Sequence, residues 1–379
     1  MRLLIVALDA AHTSPGIVFK TLIRHLATFH DITLLAQTVD PAFIPENVRL
    51  LPLKKGVHRW DKAEKNWRRF GFNPRDRFWS WKTWIKYRKE LRKQPYDAVI
   101  TLTSNGYYSS LNLGKRLAEK FQCRYIIYTV DGMPSPLPWM GNDEKLHENI
   151  SKEMRRLCRD ADLFISANPL MMAYQQGIIP DLKGKWDYLY IPFRPLADSY
   201  AQKAHEGYNI LYAGSLYGLR RIDGLIAAFR RFLAIRPDAK LWFVGERGPG
   251  YTDCAPDLTA SGQVIFKDAT DKIDEYYAIA DCLLDIAADI PGDVFLSGKV
   301  ICYLPYKLPI LAISGEASPV SLIMGGVPSI VQCTNDADEI YSALENIVGS
   351  EFDFSDRDAL VHQFHPETNC QKFIKLITP

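Results

Sequence analysis

Short apolar runs alternate with amphipathic stretches along almost the whole chain, and the series starts twice. The first series opens at Leu3–Leu8 and the second at Ile210–Ala213. An apolar run of about four to eight residues between turn signals reads as a buried strand, and apolar residues at 3.6-residue spacing read as a helix. Strand and helix in regular alternation build parallel sheets covered by helices on both faces. In such sheets ligands sit beyond the carboxyl ends of the strands, where the strand order reverses. The pattern therefore predicts an α/β chain of two doubly wound, Rossmann-like domains. A length of 379 residues, 47% of them hydrophobic, is enough for two cores.

In the first series, the strand ending at Leu8 runs into Asp9-Ala10-Ala11-His12-Thr13-Ser14-Pro15-Gly16, followed by a helix over Ile17–Phe29 and a strand over Asp31–Gln37. The loop with His12 and Gly16 is expected to face a cleft. His12 reads either as an exposed loop histidine or as a substrate contact. Further strands are expected at Asp97–Ser104, Arg124–Gly132 and Asp162–Asn168. Asp131 ends the Arg124 strand and precedes Gly132 and a proline-rich loop. A carboxylate there suits a general base or a ligand for an acceptor hydroxyl, and equally the cap of the next element.

Lys54–Lys93 breaks the alternation. It holds 15 Lys/Arg against 4 Asp/Glu and five of the eight tryptophans: Trp60, Trp67, Trp79, Trp81 and Trp84. Cations attract anionic headgroups and Trp favours the bilayer interface, so an anionic membrane surface is the first expected partner. A basic helix pair whose aromatics pack inward is the second reading, and a polyanion is the third. Seven dispersed cysteines without a CxxC fit reduced thiols in a cytoplasm. No apolar run reaches the ~18 residues of a membrane span, and the first residues lack a signal-peptide shape. A cytoplasmic protein, attached peripherally to the inner membrane face, is expected.

Pro192, Pro195 and the polar stretch after them look like an interdomain linker. The expected domains are 1–195 and 205–365, with a terminal helix in 366–379 packing back on the first. The second series carries the densest signal, Tyr208–Phe232. A strand runs into Ala213-Gly214-Ser215, two arginines follow at Arg220 and Arg221, and a helix begins. Glycine, cations and a helix start form a phosphate-binding arrangement. Ser297-Gly298-Lys299 offers a second cation at another helix start, with backbone N–H groups exposed around Gly214 and Ser297.

With these residues in hand, the chain resembles a GT-B glycosyltransferase, most similar to glycosyltransferase family four. The family's Gly-x5-Lys-Gly segment and following helix align without gaps to Gly214–Phe229, placing Arg220 on the Lys and Arg221 on the Gly. Phe243-Val244-Gly245-Glu246-Arg247-Gly248 resembles the family's strand end near the nucleotide base. Phe295, Ser297, Lys299, Tyr303 and Leu304 match a Phe-x-Ser-x-Lys-x-x-Glu-Tyr-Leu version found in bacterial polysaccharide transferases, with Cys302 where the ribose-binding Glu stands. Asp293 falls near the donor-sugar Glu. Asp131 replaces the family histidine of the first domain.

The resemblance implies a metal-independent glycosyltransferase of hexosyltransferase type. The sugar of a UDP- or GDP-sugar would move to a glycan or lipid-linked acceptor in bacterial surface polysaccharide synthesis. Arg220, Lys299 and Asp131 would be catalytic. Gly214, Ser215, Arg221, Gly245, Glu246, Asp293, Phe295, Ser297, Gly298 and Cys302 would bind the donor, and His12 and Gly16 the acceptor. The implied scheme uses no metal, no further cofactor and no nucleic acid. A sugar-nucleotide epimerase or a non-catalytic nucleotide-binding scaffold on the same frame is the alternative; Cys302 speaks for the scaffold.

Overall fold

The computed structural model describes residues 1–11, 13–54, 60–106, 108–196, 200–251, 254–288 and 290–378. The chain forms two compact units, Met1–Ile191 with Pro366–Pro379, and Pro192–His365.

The first unit is built on a parallel sheet of β1 (Arg2–Ala10), β2 (Asp31–Val39), β3 (Arg49–Pro52), β4 (Ala98–Thr103), β5 (Arg124–Thr129), β6 (Leu163–Ser166) and β7 (Lys185–Tyr188), in the order β3-β2-β1-β4-β5-β6-β7. β1 is central because both of its faces are apolar. Leu4, Val6 and Leu8 enter one core with Val99 and Leu111, and Leu3, Ile5 and Ala7 enter the opposite core with Phe19 and Ile23. The helix Pro366–Ile377 belongs to this unit. Its Phe373 ring lies 5.9 Å from Tyr128, and the Arg124 guanidinium donates to the Ile377 carbonyl.

The second unit repeats the plan with β8 (Tyr208–Ala213), β9 (Ala239–Val244), β10 (Val264–Lys267), β11 (Cys282–Ile286), β12 (Ile310–Ile313) and β13 (Ile330–Cys333), ordered β10-β9-β8-β11-β12-β13. Both sheets therefore reverse their winding beside the first strand, at β1/β4 and at β8/β11. These are the ligand-binding positions of a doubly wound sheet.

Two expectations change. The segment after Pro192 is no free linker: the Lys203 N–H donates to the Ala278 carbonyl at 2.7 Å and Gln202 to the Ala280 carbonyl at 2.6 Å, while the Tyr200 ring meets Tyr306 at 4.9 Å. Its tyrosine and amide groups find partners on the second unit that its polar composition did not suggest. The basic stretch folds as two helices, Trp60–Phe70 and Pro74–Leu91. Trp67 and Trp84 are core residues there, 1% and 6% exposed, with Trp67 edge-on to Tyr108 at 4.7 Å. Burial on the first unit claims these two aromatics, so only part of the Trp signal faces solvent. Among the described residues no helix is long and apolar enough to cross a membrane.

Asp76 lies on the inner face of the helix Pro74–Leu91, and the Asn73 side-chain amide donates to it at 3.0 Å. Burial pushes its carboxyl up to about 7 against that hydrogen bond, and the Glu153 charge adds to the rise. The folded group thus keeps its proton to about pH 7, while the unfolded group loses it near 3.8. The stability it contributes is complete below that lower value and is lost as pH rises to the upper one. Asp76→Asn is therefore expected to raise the thermal midpoint by a few degrees at pH 8 and to leave it unchanged at pH 4. Scanning calorimetry at the two pH values checks this; an equal shift at both removes the buried charge as the cause.

Candidate functional site

The carboxyl end of β8 continues the sheet one residue past the strand, so the Gly214 N–H donates to the Val244 carbonyl at 2.8 Å. That amide is spent on the ladder, which corrects the expectation that it stays free for an anion. Gly214 has φ +151°, and a Cβ there would lie 2.6 Å from Cδ of Lys299. The glycine is needed because the Lys299 stem crosses the backbone at this point. Gly245, φ +150°, is packed beneath it, with room for a Cβ only 2.3 Å from the Gly214 carbonyl oxygen. The Lys299 ammonium sits 5.2 Å over the Tyr212 ring. Burial lowers its pKa to about 8, Asp285 opposes the fall, Arg220 adds to it, and Cys302 opposes it weakly. At pH 7 it is mostly charged.

Arg220 and Arg221 separate in space. Arg220 forms a backbone bridge with Ala288, and its Nε donates to the Ile286 carbonyl at 3.1 Å. Its guanidinium lies 4.4 Å over the Tyr217 ring. The loop after β8 is thereby fastened to the end of β11, across the switch point. Arg221 pairs with Asp223 in the first turn of the helix Asp223–Phe232, at 3.1 and 2.6 Å. A hollow of about 470 Å³ borders both, lined also by Ile226, Arg230, Tyr251 and Cys254.

The Ser297 hydroxyl donates to Asp285 at 2.6 Å and accepts the Lys299 N–H at 3.3 Å. Both interactions lie inside the protein, so the side chain holds the loop and the cation behind it. Gly298, exposed, opens the short helix Gly298–Tyr303 that carries Lys299 and Cys302. The Cys302 thiol is pushed up by burial, with the Arg194 backbone N–H drawing it partly back. It is neutral at pH 7 and no substitute for a carboxylate toward ribose hydroxyls. Asp293 is 4% exposed and accepts the N–H of Phe295 at 3.3 Å. Ser215 lies beside Gly214, its carbonyl held by the Tyr212 hydroxyl at 2.9 Å. The Glu246 side chain is exposed at the end of β9.

On the first unit, Asp131 follows β5. Its Oδ2 accepts the Asn105 N–H at 3.1 Å, and its carbonyl accepts from Thr129 at 2.7 Å and Gln175 at 3.4 Å. Burial raises its carboxyl pKa, with the Asn105 bond opposing. A carboxylate of raised basicity at a strand end can take a proton from a hydroxyl. Gly16 is enclosed: a Cβ would meet Asp9 Oδ1 at 2.8 Å. Asp9 in turn accepts from the Ala11 N–H at 2.8 Å and Thr13 Oγ at 2.5 Å. Gly16 thus closes the turn over Asp9. His12 lies outside the described residues.

The second unit therefore brings together Arg220, Lys299, Gly214, Ser297 and Asp285, a cation pair with one buried carboxylate. Asp285 was missed in the sequence because it sits within an apolar strand. A lone carboxylate there, next to the strand's end, was the available signal. Among the described residues no group of three or more His, Cys, Asp or Glu is placed to hold a metal ion.

No family model and no curated protein matches this sequence. Solved structures do match over their full length. The sucrose-phosphate synthase of Thermosynechococcus elongatus gives a TM-score of 0.69 at 16% identity, covering 99% of this chain and 98% of that one. The apo lipopolysaccharide outer core galactosyltransferase WaaB gives 0.65 at 12%, covering 100% and 99%. Anabaena HepE, solved in complex with UDP-glucose, gives 0.62 at 13%, covering 99% and 98%. The chain has the GT-B fold.

The two stacked glycines differ in what a side chain would strike. At Gly214 it meets a flexible lysine stem, and at Gly245 it meets fixed backbone. Both positions add backbone strain of about 1–3 kcal/mol. Gly245→Ala is expected to destabilise the protein clearly more than Gly214→Ala in urea unfolding. Equal losses would mean that the Lys299 stem is as rigid as the backbone.

Proposed function

We propose that this chain is a glycosyltransferase that takes the sugar of a UDP-sugar, or less readily a GDP-sugar, and passes it to a glycan or lipid-linked acceptor. The observation that carries the proposal is the pair Arg220 and Lys299, held at the β8/β11 switch point of a full-length GT-B fold. Cleaving the bond between sugar and diphosphate builds negative charge on the leaving oxygen. Fixed cations aimed at developing charge give the largest kind of catalytic stabilisation. Arg220 suits the diphosphate through its planar fork, and Lys299 as a compact charge. Likeness to proteins solved with UDP and UDP-glucose supports UDP as the nucleotide. Asp131 is proposed as the base for an acceptor hydroxyl, because burial raises its basicity. The scheme assigns no step to a metal.

The acceptor is proposed to be membrane-borne. Along the helix Pro74–Leu91, Phe78, Trp81 and Ile85 are exposed, opposite the buried Ser80, Trp84, Tyr87 and Leu91. Phe78 and Trp81 stack at 5.9 Å, and Lys82 covers Phe78 at 4.5 Å. Lys86, Lys89 and Arg92 are exposed nearby. An apolar strip edged by cations matches an anionic headgroup layer. The non-catalytic scaffold remains the second reading, since a neutral Cys302 stands where the family has a carboxylate.

Arg220→Ala is expected to lower sugar transfer or donor hydrolysis by about 10²-fold or more with the fold retained. Undiminished turnover would remove the donor-site assignment. Calorimetry with UDP and GDP separates the readings: binding of neither favours the scaffold, and release of an epimerised sugar without acceptor indicates an epimerase. Phe78→Ser with Trp81→Ser is expected to cut sedimentation with phosphatidylserine vesicles at least tenfold; unchanged sedimentation at low salt would remove the membrane proposal.

A further inference from the structure

Asp285 is fully buried at the C-terminal end of β11. Its Oδ1 holds the Ser297 hydroxyl at 2.6 Å, while its Oδ2 is buried without a hydrogen-bond partner. A strand whose only duty is packing has no use for such a group, because burying a carboxylate is strongly penalised unless cations compensate it. Two cations are within its field, Lys299 and Arg220. It reaches Lys299 by a second route as well, since Ser297 accepts the Lys299 N–H at 3.3 Å.

We propose that Asp285 is a positioning residue of the donor site, fixing the Ser297 hydroxyl and keeping the Lys299 ammonium charged beside Arg220, so that both cations stand ready for a nucleoside diphosphate. This rests on the assignment of Arg220 and Lys299 to the donor phosphates. The groups facing Lys299 are Asp285 from β11, Arg220 from the loop after β8, the Tyr212 ring from β8, and Cys302 on its own helix. Of these, Asp285 is the one carboxyl group, and it is fully buried. Burial already brings the Lys299 pKa down to about 8, so removal of the carboxylate moves its deprotonation into the neutral range.

The test is UDP binding to the full chain, measured by calorimetry from pH 6.5 to 9.5. In the wild type, affinity is expected to fall as pH rises through about 8, where the free lysine loses its proton. Asp285→Asn keeps an oxygen for Ser297 but loses the charge. It is expected to bind within about twofold of wild type at pH 6.5 and about tenfold more weakly at pH 8, the fall starting at least one pH unit lower. In a Lys299→Arg background, whose guanidinium stays charged, Asp285→Asn should no longer shift the profile. A uniform loss at every pH, or no change at any, overturns the proposal. If Asp285→Asn does not fold, Asp285→Glu is expected to hold the midpoint near 8; a fall with the charge still present also overturns it. Lys299→Met serves as the separate control. Wild-type affinity and pH dependence in that variant would overturn the donor-site assignment itself.

Discussion

The crossing of the Lys299 stem over Gly214 is the contact on which the second unit's site depends. It fixes where a positive charge can stand. The stem needs a glycine beneath it, and that glycine needs another below, because Gly245 packs against the Gly214 carbonyl. The Tyr212 ring lies under the ammonium, and Asp285 supplies the opposing charge from the next strand. Tyr212, Gly214, Gly245 and Asp285 come from strand ends or the residue just after them, and Lys299 from the short helix Gly298–Tyr303. The positions of the first four are therefore set by β8, β9 and β11, neighbours in one hydrogen-bonded sheet.

Arg220 shows the same logic in a loop. A guanidinium on a free turn would have to be ordered by its ligand, at an entropic cost. Here the backbone bridge to Ala288 and the Nε bond to the Ile286 carbonyl order it beforehand. Arg221, one residue on, is turned outward into a pair with Asp223 and is two-thirds exposed. The two adjacent arginines thus do different things: the bridge to Ala288 holds Arg220, whereas Arg221 lies two residues before the helix Asp223–Phe232 and pairs with its first residue. Exposed ion pairs of this kind are worth little in stability. The Asp223 pair instead occupies the Arg221 fork.

The strand-and-helix alternation made both sheets legible, because the central strands are mostly apolar. The strands it did not show are β3, β7 and β13, all four residues long and all at sheet edges. Edge strands are half solvated, so Arg49–Pro52 and Lys185–Tyr188 carry charge where a central strand carries Val or Ile. Glycine and cation spacing singled out Arg220 and Lys299, and the structure places both beside the end of β8. The role of Gly214 was not legible, since spacing cannot tell a glycine that admits a ligand from one that admits a lysine stem. The tryptophans show the same limit: Trp67 and Trp84 are core, whereas Trp81 is exposed. Composition summed them into one signal, and only the helix phase separates them.

The fold alone does not choose the chemistry, since one fold hosts many functions. The choice falls to the site, and there the departure at Cys302 shapes the rest. A thiol kept neutral by burial accepts hydrogen bonds weakly. A nucleotide on this unit would then be gripped chiefly at its phosphate end, by charge. Two cations on a rigid frame can carry that load only while both remain charged, and Lys299 is the one close to losing its proton. On the proposal above, the buried carboxyl group in β11 belongs to that setting, because two cations lie within its field. On the same proposal, recognition at this site rests on phosphate charge more than on sugar hydroxyls.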